Sequence, residues 1–122
     1  MQTKLLIDGK LVAGAGAEES VINPHSGQAL SKLREASVDQ VDEAVRAAAR
    51  AFRTWGQTTP QERSLLLLKL ADHVEQHAKT YAELESKNCG KAFARVLNDE
   101  LPALVDCFRF FAGADRYPHG SA

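Results

Sequence analysis

SVDQVDEAVRAAARAFRTWGQTTPQER, residues 37–63, contains the change of pattern that decides the fold. Ser37 and Gln40 form a capping box, in which each side chain can bond the backbone of the other residue. Apolar residues then recur at steps of four, three, four and three, the spacing of one helix face: Val41, Val45, Ala48, Phe52 and Trp55. The pattern predicts an amphipathic helix that ends at Gly56.

More helices are predicted on the C-terminal side of this stretch. Thr59 and Glu62 form a second capping box, with Pro60 in the first helical position, where its missing N–H has no cost. The apolar stripe that follows indicates a helical run to Gly90 with a break near 77–80; it consists of Leu67, Leu70, Ala71, Val74, Ala78 and Tyr81. A last helix is predicted over 98–114, with Pro102 tolerated because it lies in the first turn.

The residues on the N-terminal side of this stretch are predicted to form β-structure. Residues 4–12 form a hairpin signature around Asp8-Gly9, because Asp-Gly supplies the positive φ angles of a tight turn. Val21-Ile22, the turn 23–27 and a strand over 29–33 follow. The chain is therefore predicted to be a short antiparallel β-piece (β-rich 3–34) followed by three to four amphipathic α-helices (helical 37–116). Two or three strands are marginal alone, so either the helices form their own core or the chain is a piece of something larger.

Composition excludes several partner classes. The 122 residues are 44% hydrophobic and 25% charged, with a formal net charge of -1. No basic stripe suits nucleic acid, and the longest apolar run, 65–68, is too short to cross a bilayer. Two cysteines do not make a secreted disulfide framework. We therefore expect a cytoplasmic protein with reduced thiols, no nucleic-acid partner and no membrane partner.

ESKNCGKA, residues 85–92, offers three interpretations. Cys89 could be a nucleophile, but the C-terminal end of a helix disfavours a thiolate, and Lys87 and Lys91 oppose this only weakly. Gly90-Lys91 could end a phosphate loop, but the earlier Gly and the following Ser or Thr are missing. The third interpretation, a left-handed glycine that ends a helix beside a small buried cysteine, is favoured.

The remaining polar candidates carry weaker patterns. His73 and His77 have the spacing of two ligands on one helix face, but no third ligand is evident, so a solvated face is predicted; His25 lies in a turn and His119 in a tail. Asp99 and Glu100 stand where the last helix is predicted to begin. They could cap that helix, or they could form a rim that attracts cations.

Four stretches together resemble a known family: LLIDGKLV, INPHSGQAL, WGQTTPQERSLLLLKLAD and ELESKNCGKAF…DELPALVDCFRFFAGADRY. In this order and spacing, over residues 3–120, they are similar to the N-terminal segment of the NAD(P)-dependent aldehyde dehydrogenases. The residues of ESKNCGKA and NDELPA most resemble the aminoaldehyde branch, the 4-aminobutyraldehyde dehydrogenases. The betaine aldehyde dehydrogenases are the next most similar branch.

The resemblance implies an α/β fold for the parent enzyme, of which residues 1–122 would be the incomplete N-terminal part of the cofactor-binding domain. It implies NAD or NADP as the cofactor of the whole enzyme, with none bound by this segment alone. It also implies a small-molecule aldehyde, such as 4-aminobutanal, as substrate, and a homo-oligomer, the homotetramer of the full-length protein.

The family's chemistry uses a cysteine nucleophile in a Gly-Gln-x-Cys context, a glutamate base, a Pro-Trp-Asn motif and a Gly-rich cofactor loop. This sequence contains none of them, and Cys89 and Cys107 resemble non-catalytic family positions. We therefore expect no catalytic, cofactor-binding or metal residues here. The resemblance places Asp99 or Glu100 at the substrate entrance, where a carboxylate would favour an ammonium-bearing aldehyde. The alternatives are a non-catalytic stand-alone helical interaction module and a small thiol enzyme using Cys89.

Overall fold

The computed structural model describes residues 1–117 and divides into two compact units, Met1–Gln57 and a second unit from Thr58 onward. The boundary between the units falls between the first and second helices. The predicted change from strand to helix near residues 34–37 is confirmed, since the last strand ends at Arg34 and the first helix begins at Val38. Residues 118–122, and with them His119 and the end of the predicted domain, lie outside the described residues.

Two antiparallel hairpins open the first unit. β1 (Leu5–Ile7) pairs with β2 (Lys10–Val12), and β3 (Glu18–Ile22) pairs with β4 (Ala29–Arg34) with an irregularity between Val21 and Ile22. In the first hairpin Asp8 and Gly9 have φ of 52° and 73°, so the predicted tight turn is confirmed. The short antiparallel β-piece is confirmed as a class, but it is two separate two-stranded sheets.

The strand around Val21 is longer than predicted. It begins at Glu18, because backbone pairing with β4 extends through Glu18, Glu19 and Ser20. These polar residues show no apolar alternation, so the sequence pattern could not reveal them as a strand. Lys32 on β4 and Glu18 on β3 form a cross-strand ion pair at 2.9 Å.

Helix α1 (Val38–Trp55) closes the first unit, and its predicted capping box is confirmed. Gln40 has a further role that the box did not predict. Its Nε2 donates to the Ala13 carbonyl, and its Oε1 accepts from the Ala15 amide, both at 2.8 Å. One glutamine therefore caps the helix and holds the segment that joins the two hairpins.

The predicted apolar stripe of α1 is present but uncovered. Ala47 is the one buried residue of this helix. By contrast, the side chains of Val45 and Phe52 are 64% and 66% exposed. The helix is amphipathic, but its stripe does not line a core within the described residues.

The second unit is helical. It contains α2 (Pro60–Gln76), α3 (Ala78–Cys89), α4 (Phe93–Arg95), a π-helical turn (Val96–Glu100) and α5 (Leu101–Ala114). The predicted Thr59 capping box, Pro60 in the first turn, the break near His77 and the end at Gly90 are confirmed.

The core of the second unit lies where α2 and α3 meet the π-helical turn and α5. It is built from small and branched side chains: Ala71, Val74, Ala82, Val96, Leu101 and Val105. Arg109 on α5 bonds Asp72 and Glu75 on α2, at 3.2 and 2.6 Å, along the outside of this packing. Within residues 1–117, no helix combines the length and apolar character that crossing a bilayer requires.

The last helical segment begins earlier than predicted, at Phe93 rather than at residue 98. The π-helical turn makes the segment continuous, and the Leu101 amide donates to the Val96 carbonyl five residues back. Pro102 is the second residue of α5 and has no N–H for the usual bond four residues back. A wider turn just before a proline accommodates that missing donor.

Candidate functional site

Where the chain reverses after α3, one lysine lies between two carboxylates. Gly90 has φ of 73°, and its amide closes α3 on the Ser86 carbonyl at 3.0 Å. Lys91 follows, and its Nζ lies 3.0 Å from Oε1 of Glu85 and 2.8 Å from Oε2 of Glu100. Glu85, Lys91 and Glu100 are called the lysine cluster below.

Within the lysine cluster, Lys91 and Glu85 shift each other's pKa. The hydrogen bonds that Lys91 donates to Glu100, and then to Glu85, raise the pKa of Lys91 above its ordinary value. The hydrogen bond from Lys91 in turn lowers the pKa of Glu85, which also takes a bond from the Cys89 thiol. Two carboxylates against one ammonium leave the cluster with one negative charge in excess.

An open groove of about 560 Å³ lies beside the lysine cluster. Its walls come from α2, α3, the π-helical turn and α5: Leu70, Val74, Tyr81, Leu84, Glu85, Val96, Glu100, Leu101, Leu104 and Phe108. Eight of these ten side chains are apolar or aromatic, so Glu85 and Glu100 supply the charge of an otherwise apolar surface. This surface is called the apolar groove below.

Asp99 and Glu100 differ in their surroundings. Both belong to the π-helical turn. Glu100 is half-buried, lines the apolar groove and pairs with Lys91. Asp99 is exposed, is not part of the groove lining and forms no ion pair with any residue in 1–117. Because α4 precedes them, neither stands at the free N-terminus of a helix, so the interpretation that they cap one is wrong.

The cysteines and histidines stand apart from one another. Cys89 is the last residue of α3 and is exposed, so the expectation of a buried cysteine is wrong; Cys107 is exposed as well. The rings of His73 and His77 lie 4.2 Å apart, and His77 Nδ1 is 2.8 Å from the His73 carbonyl. Across the described part of the chain, no three metal-ligating side chains come together.

Sequence reasoning did not find the lysine cluster. Glu85 lies six residues before Lys91 and Glu100 nine residues after it, and neither separation is the three or four residues of neighbours on a helix face. Their meeting depends on the left-handed Gly90 and on the packing of the π-helical turn beside α3. Gly90-Lys91 is a visible motif in the sequence, but no local pattern indicates which carboxylates Lys91 binds.

Comparison with models of protein families matches residues 11–122 to the aldehyde dehydrogenase family. Among curated relatives, the acetaldehyde dehydrogenase of Pseudomonas aeruginosa is 40% identical over 100 residues, covering 82% of this chain and 20% of the relative. The mitochondrial aldehyde dehydrogenase of Leishmania tarentolae is 41% identical over 114 residues, covering 93% of this chain and 23% of the relative.

A solved structure agrees with this match. The crystal structure of PnpE in complex with nicotinamide adenine dinucleotide superposes with a TM-score of 0.91 at 40% identity, covering 99% of this chain and 25% of that one. The chain thus spans between a fifth and a quarter of the length of these proteins. The match corresponds to the N-terminal region of the family, and it gives no support to the stand-alone interaction module. The names of these relatives do not single out the aminoaldehyde branch. This chain belongs to the aldehyde dehydrogenase family.

Proposed function

We propose that this chain is the N-terminal part of the cofactor-binding domain of an NAD(P)-dependent aldehyde dehydrogenase, which oxidises an aldehyde to the carboxylic acid. The segment supplies no catalytic residue and binds no cofactor alone. The whole enzyme acts in the cytoplasm as a homotetramer.

One observation carries this proposal: the structure superposes along almost its whole length on an enzyme bound to NAD, at 40% identity. The exposed stripe of α1 agrees with it, because an uncovered apolar helix face marks a place where further protein packs. NAD is favoured over NADP because that relative was crystallised with NAD.

We further propose that the substrate is an aminoaldehyde such as 4-aminobutanal, with Asp99 and Glu100 near the substrate entrance. The lysine cluster carries one excess negative charge, and Asp99 adds another that no lysine or arginine in 1–117 pairs with. Two negative charges in excess, one shared by Glu85 and Glu100 and one on Asp99, attract an ammonium group at the far end of a substrate.

The proposed activity is tested on the gene product purified from its own cells. Its intact mass is measured first, followed by reduction of NAD and of NADP with 4-aminobutanal and with pentanal. We expect a mass several times 13.3 kDa and oxidation of aldehydes. A pure native product of 13.3 kDa that oxidises neither aldehyde would overturn the proposal.

The substrate proposal is tested with Asp99→Asn and Glu100→Gln in that native enzyme. Each change removes one negative charge, so KM for 4-aminobutanal should rise about two- to fivefold, the range that exposed ion pairs reach. KM for pentanal, which is uncharged and of equal length, should stay the same. Asp106→Asn is the matched control, because Asp106 is an exposed carboxylate of α5 outside the π-helical turn that carries Asp99 and Glu100. Equal effects on both aldehydes would contradict the proposal.

A further inference from the structure

We propose that Lys91 is a specificity-determining residue, which sets the charge at the edge of the apolar groove by neutralising one of its two carboxylates. This inference rests on the proposed function, because it assigns Lys91 a role in choosing between charged and neutral aldehydes. Lys91 does so through Glu85 and Glu100 and without contacting the substrate.

The geometry supports a role in charge rather than in packing. Nζ of Lys91 bonds both carboxylates, at 3.0 and 2.8 Å. Glu85 and Glu100 both line the apolar groove, whereas Lys91 is not part of its lining. The ammonium therefore offsets the field of the two groove carboxylates without filling the groove. The three side chains are 37–43% exposed, so water screens this field but does not cancel it.

Replacement of Lys91 changes the charge without changing the apolar walls. In Lys91→Met, the excess at the lysine cluster grows from one negative charge to two. In Glu100→Gln, with Lys91 intact, the excess falls to zero. In the double variant Lys91→Met/Glu100→Gln, the excess returns to one, although both bonds between Lys91 and the carboxylates are lost.

If Lys91 acts through charge, selectivity should depend on the excess negative charge at the lysine cluster and not on how many bonds remain between Lys91 and the two carboxylates. Selectivity is taken as kcat/KM for 4-aminobutanal divided by kcat/KM for pentanal, measured on the native enzyme. Relative to wild type it should rise about two- to fivefold in Lys91→Met, fall by a similar factor in Glu100→Gln, and return to the wild-type value in the double variant. All four values should converge in 1 M salt, where the Debye length is about 3 Å.

Lys87→Met serves as the matched control, because Lys87 is an exposed lysine in the last turn of α3 that forms no ion pair with Glu85 or Glu100. Its selectivity should stay at the wild-type value. If Lys91→Met does not fold, Lys91→Gln carries the same expectation, since glutamine is also uncharged and can still donate to the carboxylates.

Two failures can be told apart. If wild type oxidises neither aldehyde with NAD or NADP, the proposed function fails. If wild type oxidises aldehydes but Lys91→Met leaves selectivity unchanged, or the double variant departs further from wild type than either single variant, the inference about Lys91 is overturned. The second result would assign Lys91 a purely structural role.

Discussion

Arg63 and Asp115 lie 52 positions apart in the sequence, and Nε of Arg63 is 3.1 Å from Oδ2 of Asp115. Arg63 also donates from Nη1 to the Thr58 carbonyl at 2.7 Å. Asp115 is the C-terminal cap of α5, where the helix dipole is unfavourable for a carboxylate. The guanidinium compensates for that position, so this pair connects the start of α2 to the end of α5.

Replacing Arg63 with Met should lower the free energy of unfolding by about 1–2 kcal/mol, because the partly buried Asp115 carboxylate loses its partner. The side chains of Arg63 and Asp115 are 32% and 29% exposed. Urea unfolding followed by circular dichroism measures the change. Arg46→Met is the matched control, since its pair with Asp42 is long, at 3.9 Å, and largely exposed; it should cost less than about 0.5 kcal/mol. Equal losses in the two variants would contradict the interpretation.

Gly14→Ala should be the more damaging of two glycine replacements. Gly14 is buried, and a Cβ atom there would overlap the backbone carbonyls of Arg34 and Glu35. Backbone cannot move aside as a flexible side chain can, so we expect a loss of about 3 kcal/mol in thermal or urea unfolding. Gly113→Ala is the control, because a Cβ there meets nothing within 4 Å. Gly113→Ala should stabilise α5 by about 0.5–1 kcal/mol. A Gly14→Ala variant as stable as wild type would refute the close approach of the Arg34 and Glu35 carbonyls to Gly14.

The capping box of α2 should make stability depend on pH. The Thr59 amide, and then its hydroxyl, bond the Glu62 carboxylate and lower its pKa below 4.5. Because the pKa of Glu62 is lower in the folded than in the unfolded chain, its ionised carboxylate stabilises the fold fully above the unfolded pKa near 4.5. That stabilisation is lost as the pH falls through the folded pKa. Glu62→Gln should therefore melt below wild type at pH 7, and the difference should shrink well below pH 4.5. Glu83→Gln, at an exposed position on α3 that caps no helix, is the control and should melt close to wild type at pH 7. A Glu62→Gln difference that does not vary with pH would contradict the prediction.

The 122-residue chain studied alone should bind a hydrophobic dye such as ANS, because the stripe of α1 is exposed. The double replacement Val45→Gln/Phe52→Gln should reduce the dye fluorescence, since both apolar side chains are largely uncovered. Ala47→Gln is the contrasting variant: Ala47 is the buried residue of α1, so this change should destabilise the first unit and should not reduce the dye fluorescence. A soluble chain that melts cooperatively and binds no dye would favour the stand-alone interaction module instead.

Local signals predicted the element ends well. The capping boxes at Ser37 and Thr59, the Asp8-Gly9 turn and the left-handed Gly90 all involve residues a few positions apart. Each depends on hydrogen bonds or φ angles that neighbouring residues fix, so pattern and structure agree. The π-helical turn before Pro102 was not predicted, because a proline in the first turn of a helix fits an ordinary helix start and does not reveal that helical residues precede it.

The candidate site was predictable only in part. The resemblance pointed to Asp99 or Glu100 without distinguishing them, but their burial and partners differ, and that difference depends on tertiary contacts. Lys91 reaches Glu100 because Gly90 reverses the chain and the π-helical turn lies beside α3. The groove likewise takes walls from four segments, and no local pattern specifies their arrangement.

The sequence by itself determined the antiparallel hairpin turn, the helix caps and the family, because these reside in short-range chemistry and in residue order. Only the tertiary structure decided that Lys91 binds both Glu85 and Glu100, that Asp99 forms no ion pair within residues 1–117, and which apolar faces of that range stay uncovered. The physical reason is distance: a charge acts on whatever lies within a few ångströms, and folding, rather than sequence spacing, sets those neighbours.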